Sequence, residues 1–186
     1  MRVWPLLAVG FGIAGCNPYM AAVSVISTSY GVATDERSME TQASDTEIET
    51  KIEADLLQSP VAGTGSLTVY CRQGVVLLAG VVPRGSSAGS AGVRIARATS
   101  GVRRVETFYV SDQPSKTDDL ELEGKVKEAF VADPNLMARQ VSVLAYGGHV
   151  ALVGVVDGPE QIDAFVDDAR GVSGVRSVRS FIQIKS

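Results

Sequence analysis

The chain has 186 residues, of which 45% are hydrophobic and 20% are charged, a composition typical of a globular protein. Its net charge is -4, so it lacks the dominant basic surface that general nucleic-acid binding requires. It contains only two cysteines, Cys16 and Cys71, which are too few for a cysteine-rich metal site. If Cys16 is lipidated, Cys71 has no intramolecular partner, which excludes a disulfide framework.

The N-terminus has the features of a bacterial lipoprotein signal. Met1-Arg2 carries the positive charge, and the apolar run that follows is about eleven residues long, too short to span a bilayer as a helix. Ile13-Ala14-Gly15-Cys16 ends this run with small residues next to a cysteine. We therefore predict a signal peptide over residues 1–15 and acyl chains, palmitate among them, on Cys16. An ordinary cleaved signal peptide that happens to contain a cysteine is the alternative.

Residues 16–43 show no sustained period, and we interpret them as a lipidated tether. From Ser44 onward the sequence repeats itself at a spacing of 74 residues, so that Pro60 recurs as Pro134. The repeat keeps apolar residues and glycines in register, which predicts a tandem pair of small domains. We place domain 1 at 44–111, a linker at 112–117 and domain 2 at 118–186.

Each copy predicts the order helix, strand, strand, helix, strand. The first helices begin at capping-box patterns that open with Ser44 and Asp118, and apolar residues follow at every fourth position. Glycine turns, Gln73-Gly74 and Gly147-Gly148, join the first two strands as hairpins. The second helices are predicted over 86–99 and 159–172, and the last strands over 103–110 and 176–184.

The strand-helix-strand step makes its two strands parallel. We therefore predict an α+β fold in which each copy is a three-stranded mixed sheet with both helices on one face. A domain of about 70 residues has a marginal core, so we expect the two copies to stabilise each other. Gly89 and Gly92 weaken the second helix of copy 1 unless close packing against the other copy requires small residues.

The αββαβ order, together with two short patterns, resembles the BON domain. The first pattern in copy 1 is an apolar strand, Val75–Gly80, that ends in glycine, and the second is Gly101-Val102-x-x-Val105. Copy 2 repeats the first pattern with Gly154 and the second with Gly174. Two such copies behind a lipoprotein signal resemble the dual BON-domain outer-membrane lipoproteins of proteobacteria, of the division-site and outer-membrane-integrity type. Asn17, next to Cys16, favours the outer membrane by the same resemblance.

The resemblance implies a non-enzymatic protein that is lipid-anchored at the periplasmic face of the outer membrane. It implies binding of anionic phospholipid and support of envelope integrity, with lipid contacted by the first helix of copy 2, where Lys125 and Lys127 lie. The alternative is a periplasmic protein-protein adaptor that contacts lipid only through Cys16, with other envelope proteins as its partners.

A basic stretch distinguishes the two copies. From Arg84 to Arg104 copy 1 contains five arginines and no acidic residue, whereas the matching stretch of copy 2 contains four acidic residues. Since clustered cations attract anionic headgroups, we name as lipid-binding candidates Arg94, Arg97, Arg103 and Arg104. A solvated face, or a basic face that meets the acidic second copy, is the alternative.

No pattern of residues indicates an active site, a metal or a cofactor. His149 lies beside a hairpin turn without neighbouring ligands, and Cys71 lies on an apolar strand face, as a buried structural thiol does. Asp167-Asp168 falls on a helix surface and is interpreted as solvated. A phosphate-binding loop and a nucleophile elbow are absent from the sequence. We therefore expect no enzyme activity.

Overall fold

A computed structural model describes residues 39–111, here called domain 1, and residues 116–185, here called domain 2. The predicted signal peptide, Cys16 and the tether up to residue 38 lie outside the described residues. Domain 1 consists of α1 (Met39–Gln58), β1 (Thr68–Arg72), β2 (Val75–Val81), α2 (Ala88–Ala98) and β3 (Arg104–Val110). Domain 2 consists of α3 (Lys116–Ala132), β4 (Val141–Tyr146), β5 (His149–Val156), α4 (Pro159–Gly171) and β6 (Ser177–Ile184).

The predicted αββαβ order and mixed sheets are confirmed in both domains. β2 lies in the centre of the first sheet, antiparallel to β1 and parallel to β3. β5 has the same place between β4 and β6 in the second sheet. The hairpin turns need a left-handed backbone, which Gly74 (φ 72°) and Gly148 (φ 83°) supply as predicted.

Both helices of each domain cover one face of its own sheet. In domain 1 the predicted stripe Ile48, Ile52 and Leu56 of α1 packs on Val69, Cys71, Val76 and Leu78. In domain 2 Leu122, Val126 and Phe130 of α3 pack on the sheet together with Phe165 of α4, whose ring meets that of Phe130 edge-on at 4.8 Å. Spacing by four residues places such side chains on one face of a helix, which explains why this part of the core was predictable.

The free faces of the two sheets pack against each other. The shared cluster joins the two domains through Leu77, Ala79, Phe108, Leu144, Ala151 and Val153. The Phe108 ring lies 6.1 Å from the rings of Tyr146 and Phe181, and Gln183 donates a hydrogen bond to the Arg72 carbonyl at 2.8 Å. The molecule is thus four layers thick, in the order helices, sheet, sheet, helices. The expected mutual contact of the two copies is confirmed, and the sheets make it.

The first helices begin earlier than predicted. α1 starts at Met39 and α3 at Lys116, so Ser44 and Asp118 lie inside helices and the capping-box prediction is wrong. Residues 39–43 accordingly belong to α1 and not to a tether. The pattern of polar and acidic residues resembles a helix cap, but its acid has another role in the tertiary structure. The buried Asp45 carboxylate accepts hydrogen bonds from the backbone N–H groups of Gln73 (2.7 Å) and Gly74 (2.8 Å) in the hairpin.

The repeat preserves this tie between the first helix and the hairpin. Glu49 accepts a hydrogen bond from the Cys71 backbone N–H. In domain 2 Asp119 accepts one from the Gly147 N–H at 2.6 Å, and Glu123 one from the Ala145 N–H at 2.9 Å. Buried backbone N–H groups need such acceptors, so these carboxylates are structural.

The glycines of α2 serve its own sheet. A Cβ atom added at Gly92 would lie 2.7 Å from Cδ1 of Leu67, and one added at Gly89 would lie 2.8 Å from the Tyr109 ring. Close packing does require small residues in this helix, but against domain 1 and not against the other copy.

Candidate functional site

An exposed stripe on α3 combines apolar side chains with a cation. Leu120 and Val131 are 70% and 74% exposed, and three helical turns separate them, so both lie along one side of the helix. Gly124 and Lys127 lie between them at helical spacing, and a Cβ atom at Gly124 would meet open space. We call these four residues the α3 stripe. Sequence inspection missed Leu120 and Val131, although their eleven-residue spacing is compatible with one face.

Three of the five acidic residues of α3 bind partners outside the stripe. Asp119 and Glu123 bind the β4–β5 hairpin, and Glu121 forms an ion pair of 2.6 Å with Lys125. The hydrogen bond and charge of Lys125 lower the pKa of Glu121. Of the two lysines predicted to contact lipid, Lys127 lies in the stripe, whereas Lys125 is paired beside it.

Domain 1 lacks this stripe at the matching positions. The repeat spacing places Thr46, Thr50, Glu53 and Leu57 of α1 at the positions of Leu120, Gly124, Lys127 and Val131. Only Leu57, which is 73% exposed, retains the apolar character. The two first helices therefore share a fold but differ in surface chemistry.

A second candidate surface lies between α2 and β3. There an open groove of about 590 Å³ is lined by Arg94, Arg97, Val93, Gly89, Ser90, Thr107 and Tyr109. Arg94 and Arg97 are exposed and one helical turn apart, and neither pairs with an acidic residue in the described ranges 39–111 and 116–185. Tyr109 donates a hydrogen bond to the Gly89 carbonyl at 3.2 Å, and burial raises the pKa of Tyr109 to about 12.

The other two predicted arginines lie elsewhere. Arg103 lies near the β1–β2 turn, where it donates to the Gln73 carbonyl at 3.4 Å. Arg104 pairs with Glu106 at 3.0 Å beside a cavity of about 210 Å³ between the sheets, which Arg179 also lines.

The structure therefore does not bring the six predicted cationic residues onto one surface. α2 and α3 lie in opposite outer layers, with two sheets, about 10 Å apart, between them. The alternative that Arg94 and Arg97 meet the acidic second copy is wrong, because α2 faces away from domain 2.

His149 and the Asp167-Asp168 pair lie in surroundings that do not indicate an active site. His149 begins β5, and its Nδ1 lies 2.8 Å from Oγ of Ser177. Asp167 pairs with Arg170 at 3.3 Å on the surface of α4, and burial, followed by the charges of Asp133 and Asp167, raises the pKa of Asp168. Across the described ranges no cluster of metal-binding side chains occurs, and none of their helices has the length and apolar character needed to cross a membrane.

Cys71 is buried as predicted, and we expect its thiol to be unreactive in the folded protein. Burial, together with the Asp45 carboxylate that accepts its S–H at 3.2 Å, raises the pKa of Cys71 well above its usual range. In a chain that starts at residue 16 and carries Cys16→Ser, iodoacetamide should label Cys71 only after unfolding. Rapid labelling of the native protein at neutral pH would contradict this prediction, and the unfolded protein provides the control.

Comparison with known proteins identifies both halves of the chain. Residues 44–108 and 118–186 each match the BON domain. The chain is similar to outer membrane lipoprotein DolP of Haemophilus influenzae, with 30% identity over 93% of this chain and 90% of that protein. It is also similar to osmotically-inducible protein Y of Escherichia coli, with 29% identity over 76% of this chain and 73% of that protein. An uncharacterized protein of Anaplasma centrale shows 27% identity over 73% and 91% of the two chains. The protein therefore belongs to the BON-domain family, within the dual BON-domain type of the outer-membrane lipoproteins.

Proposed function

We propose that this protein is a non-enzymatic, lipid-anchored component of the outer membrane, facing the periplasm, that binds anionic phospholipid and supports envelope integrity. The observation that carries the lipid contact is the α3 stripe, in which exposed Leu120 and Val131 flank the cation Lys127. In this function α3 lies against the membrane surface, with Leu120 and Val131 below the headgroups and Lys127 among them.

The expected free energy of binding between the α3 stripe and a membrane is small, so the contact depends on an anchor. Burial of leucine and valine side chains contributes about 1.5–3 kcal/mol each, and a lysine near anionic headgroups adds about 1 kcal/mol. Association costs offset much of this gain. Acyl chains on Cys16 would raise the local concentration of α3 at the membrane and make a weak contact effective.

The match to DolP supports the anchor. It covers 93% of the 186 residues, which leaves about 13 outside it, so the matched span reaches Cys16 even if all of these lie at the N-terminus. Residues 17–38 separate Cys16 from α1, and a chain of that length reaches at most about 75 Å. This reach allows the anchor and α3 to contact one membrane.

We expect Leu120→Gln/Val131→Gln to lower vesicle binding about ten- to hundred-fold, because the variant removes the apolar part of the contact. The measurement is flotation of the chain that starts at residue 16, with Cys16→Ser, on vesicles of phosphatidylglycerol and on neutral vesicles of phosphatidylcholine. Wild type should prefer the anionic vesicles, and Lys127→Gln should reduce that preference.

Leu57→Gln is the matched control, because Leu57 holds the position of Val131 in domain 1 and is equally exposed. It should bind vesicles as wild type does. Equal losses in the control and the α3 variant, or no loss in either, would reject α3 as the lipid contact. In cells that lack the protein, the wild-type chain should restore detergent resistance, and Cys16→Ser should not.

A protein-binding role is the second candidate. The observation that favours it is the groove between α2 and β3, whose cations lie in the outer layer opposite to α3. A molecule that rests on a membrane through α3 would present this groove to the aqueous side.

A further inference from the structure

Gly89 of α2 and Tyr109 of β3 meet in the groove between these two elements. A side chain at Gly89 would collide with the Tyr109 ring, so the glycine allows that ring to lie against α2, where it lines the groove. Domain 2 has no glycine there, since the repeat spacing places Asp163 at the position of Gly89. The groove is therefore a feature of domain 1 and not of the fold in general.

The groove combines two guanidinium groups with an apolar wall. Arg94 and Arg97 stand on its rim, Val93 and the Tyr109 ring form its side, and no acidic residue lines it. Arg94 corresponds to Asp168 in domain 2, and Val93 corresponds to Asp167, so the charge of this surface is reversed between the copies. Guanidinium groups bind carboxylates through paired hydrogen bonds.

The exposed apolar residues indicate that the groove faces water and not lipid. Among the described residues, the large apolar side chains with high exposure are Leu57, Leu120, Val131, Met137 and Ile184. None lies on α2, so this helix carries cations without the apolar side chains that insert between lipids.

We propose that the groove between α2 and β3 binds an acidic peptide segment of a protein partner. Two carboxylates of the segment bind Arg94 and Arg97, and an apolar side chain beside them packs against Val93 and the Tyr109 ring. If α3 also binds the membrane, as in the proposed function on which this step rests, the protein connects a membrane on its α3 side to an acidic protein on its α2 side.

The probe is a fluorescein-labelled peptide, Gly-Glu-Glu-Leu-Glu-Glu-Gly, with a control peptide in which every Glu is Gln. Fluorescence anisotropy measures its binding to the chain that starts at residue 16 with Cys16→Ser. We expect the acidic peptide to bind, with an affinity that falls as salt rises, and the Gln peptide not to bind. Arg94→Gln/Arg97→Gln should lower the affinity about ten-fold or more.

Arg103→Gln/Arg104→Gln is the matched control, because it removes the same charge from domain 1 outside the groove. It should bind the acidic peptide nearly as wild type does, and circular dichroism should show both variants folded. Leu120→Gln/Val131→Gln should also retain peptide binding, so a failure of the lipid proposal is distinguishable from a failure of this one.

Three results would overturn the proposal. One is no binding of the acidic peptide by the wild-type chain, and another is an equal loss in both arginine variants, which indicates nonspecific attraction. The third is loss of phosphatidylglycerol-vesicle binding in Arg94→Gln/Arg97→Gln without loss of peptide binding, which would make these arginines a lipid contact.

Discussion

Asp45→Ala is expected to lower the free energy of unfolding of domain 1 by about 3–5 kcal/mol, because it leaves one buried and one partly buried N–H group without an acceptor. The Asp45 carboxylate is only 2% exposed, and its two oxygens receive the N–H groups of Gln73 and Gly74. A domain of about 70 residues has about 4–10 kcal/mol of stability in total, so most of the margin would be lost. Urea unfolding followed by circular dichroism measures the change.

Asp55→Ala is the control on the same helix, since the Asp55 side chain is partly exposed and its ion pair with Lys51 contributes little. We expect it to change the unfolding free energy by less than about 0.5 kcal/mol. The labelling rate of Cys71 gives a second measurement, because its thiol contacts Asp45 and should become reactive when domain 1 opens. Equal stabilities of the two variants would show that the hairpin does not depend on this carboxylate.

Phe108→Ala is expected to cost about 3–5 kcal/mol and to uncouple the two domains, because it removes a buried ring that packs between the sheets. Its ring meets Tyr146 and Phe181, and the guanidinium carbon of Arg179 lies 5.9 Å from its centre. We expect wild type to unfold in one transition and the variant in two. Differential scanning calorimetry resolves the transitions.

Phe130→Ala provides the comparison, because Phe130 is buried inside domain 2 and does not belong to the shared cluster. It should destabilise the protein by a similar amount, while small-angle X-ray scattering should show an unchanged radius of gyration for the folded state. Phe108→Ala should increase that radius as the domains separate. A single transition in Phe108→Ala at an unchanged radius would disprove coupling through Phe108.

Regular spacing made much of the fold predictable from the sequence. Apolar residues four apart identified the buried side of α1 and α3, and the glycine pairs identified the hairpins. The helix starts could not be predicted from local patterns, since Asp45 and Asp119 resemble first-turn acids yet bind hairpins that are distant in sequence.

The meeting of the two sheets was only partly predictable. The central strands are apolar on both faces. In β3, Phe108 lies on the side opposite to Val105 and Tyr109, which indicates a covered second face. Nothing in the alternation tells which surface covers it, because the same pattern suits a helix or another sheet.

The candidate surfaces depend on the side of the molecule to which each helix belongs, and the sequence alone does not give this arrangement. Charge counting selected six cationic residues, but the four-layer order places Arg97 and Lys127 on opposite sides. The α3 stripe depends on the tertiary structure, in which Glu123 binds the hairpin and Glu121 pairs with Lys125.

The packing of sheet on sheet has a consequence for how the chain is made. Sheet 1 is complete once Val110 has been synthesised, but the residues that cover its apolar face include Phe181 on the last strand. Until β6 has folded against it, sheet 1 carries an uncovered apolar face, and such a face favours association with other chains. A chain that terminated after β3 would keep this face uncovered permanently.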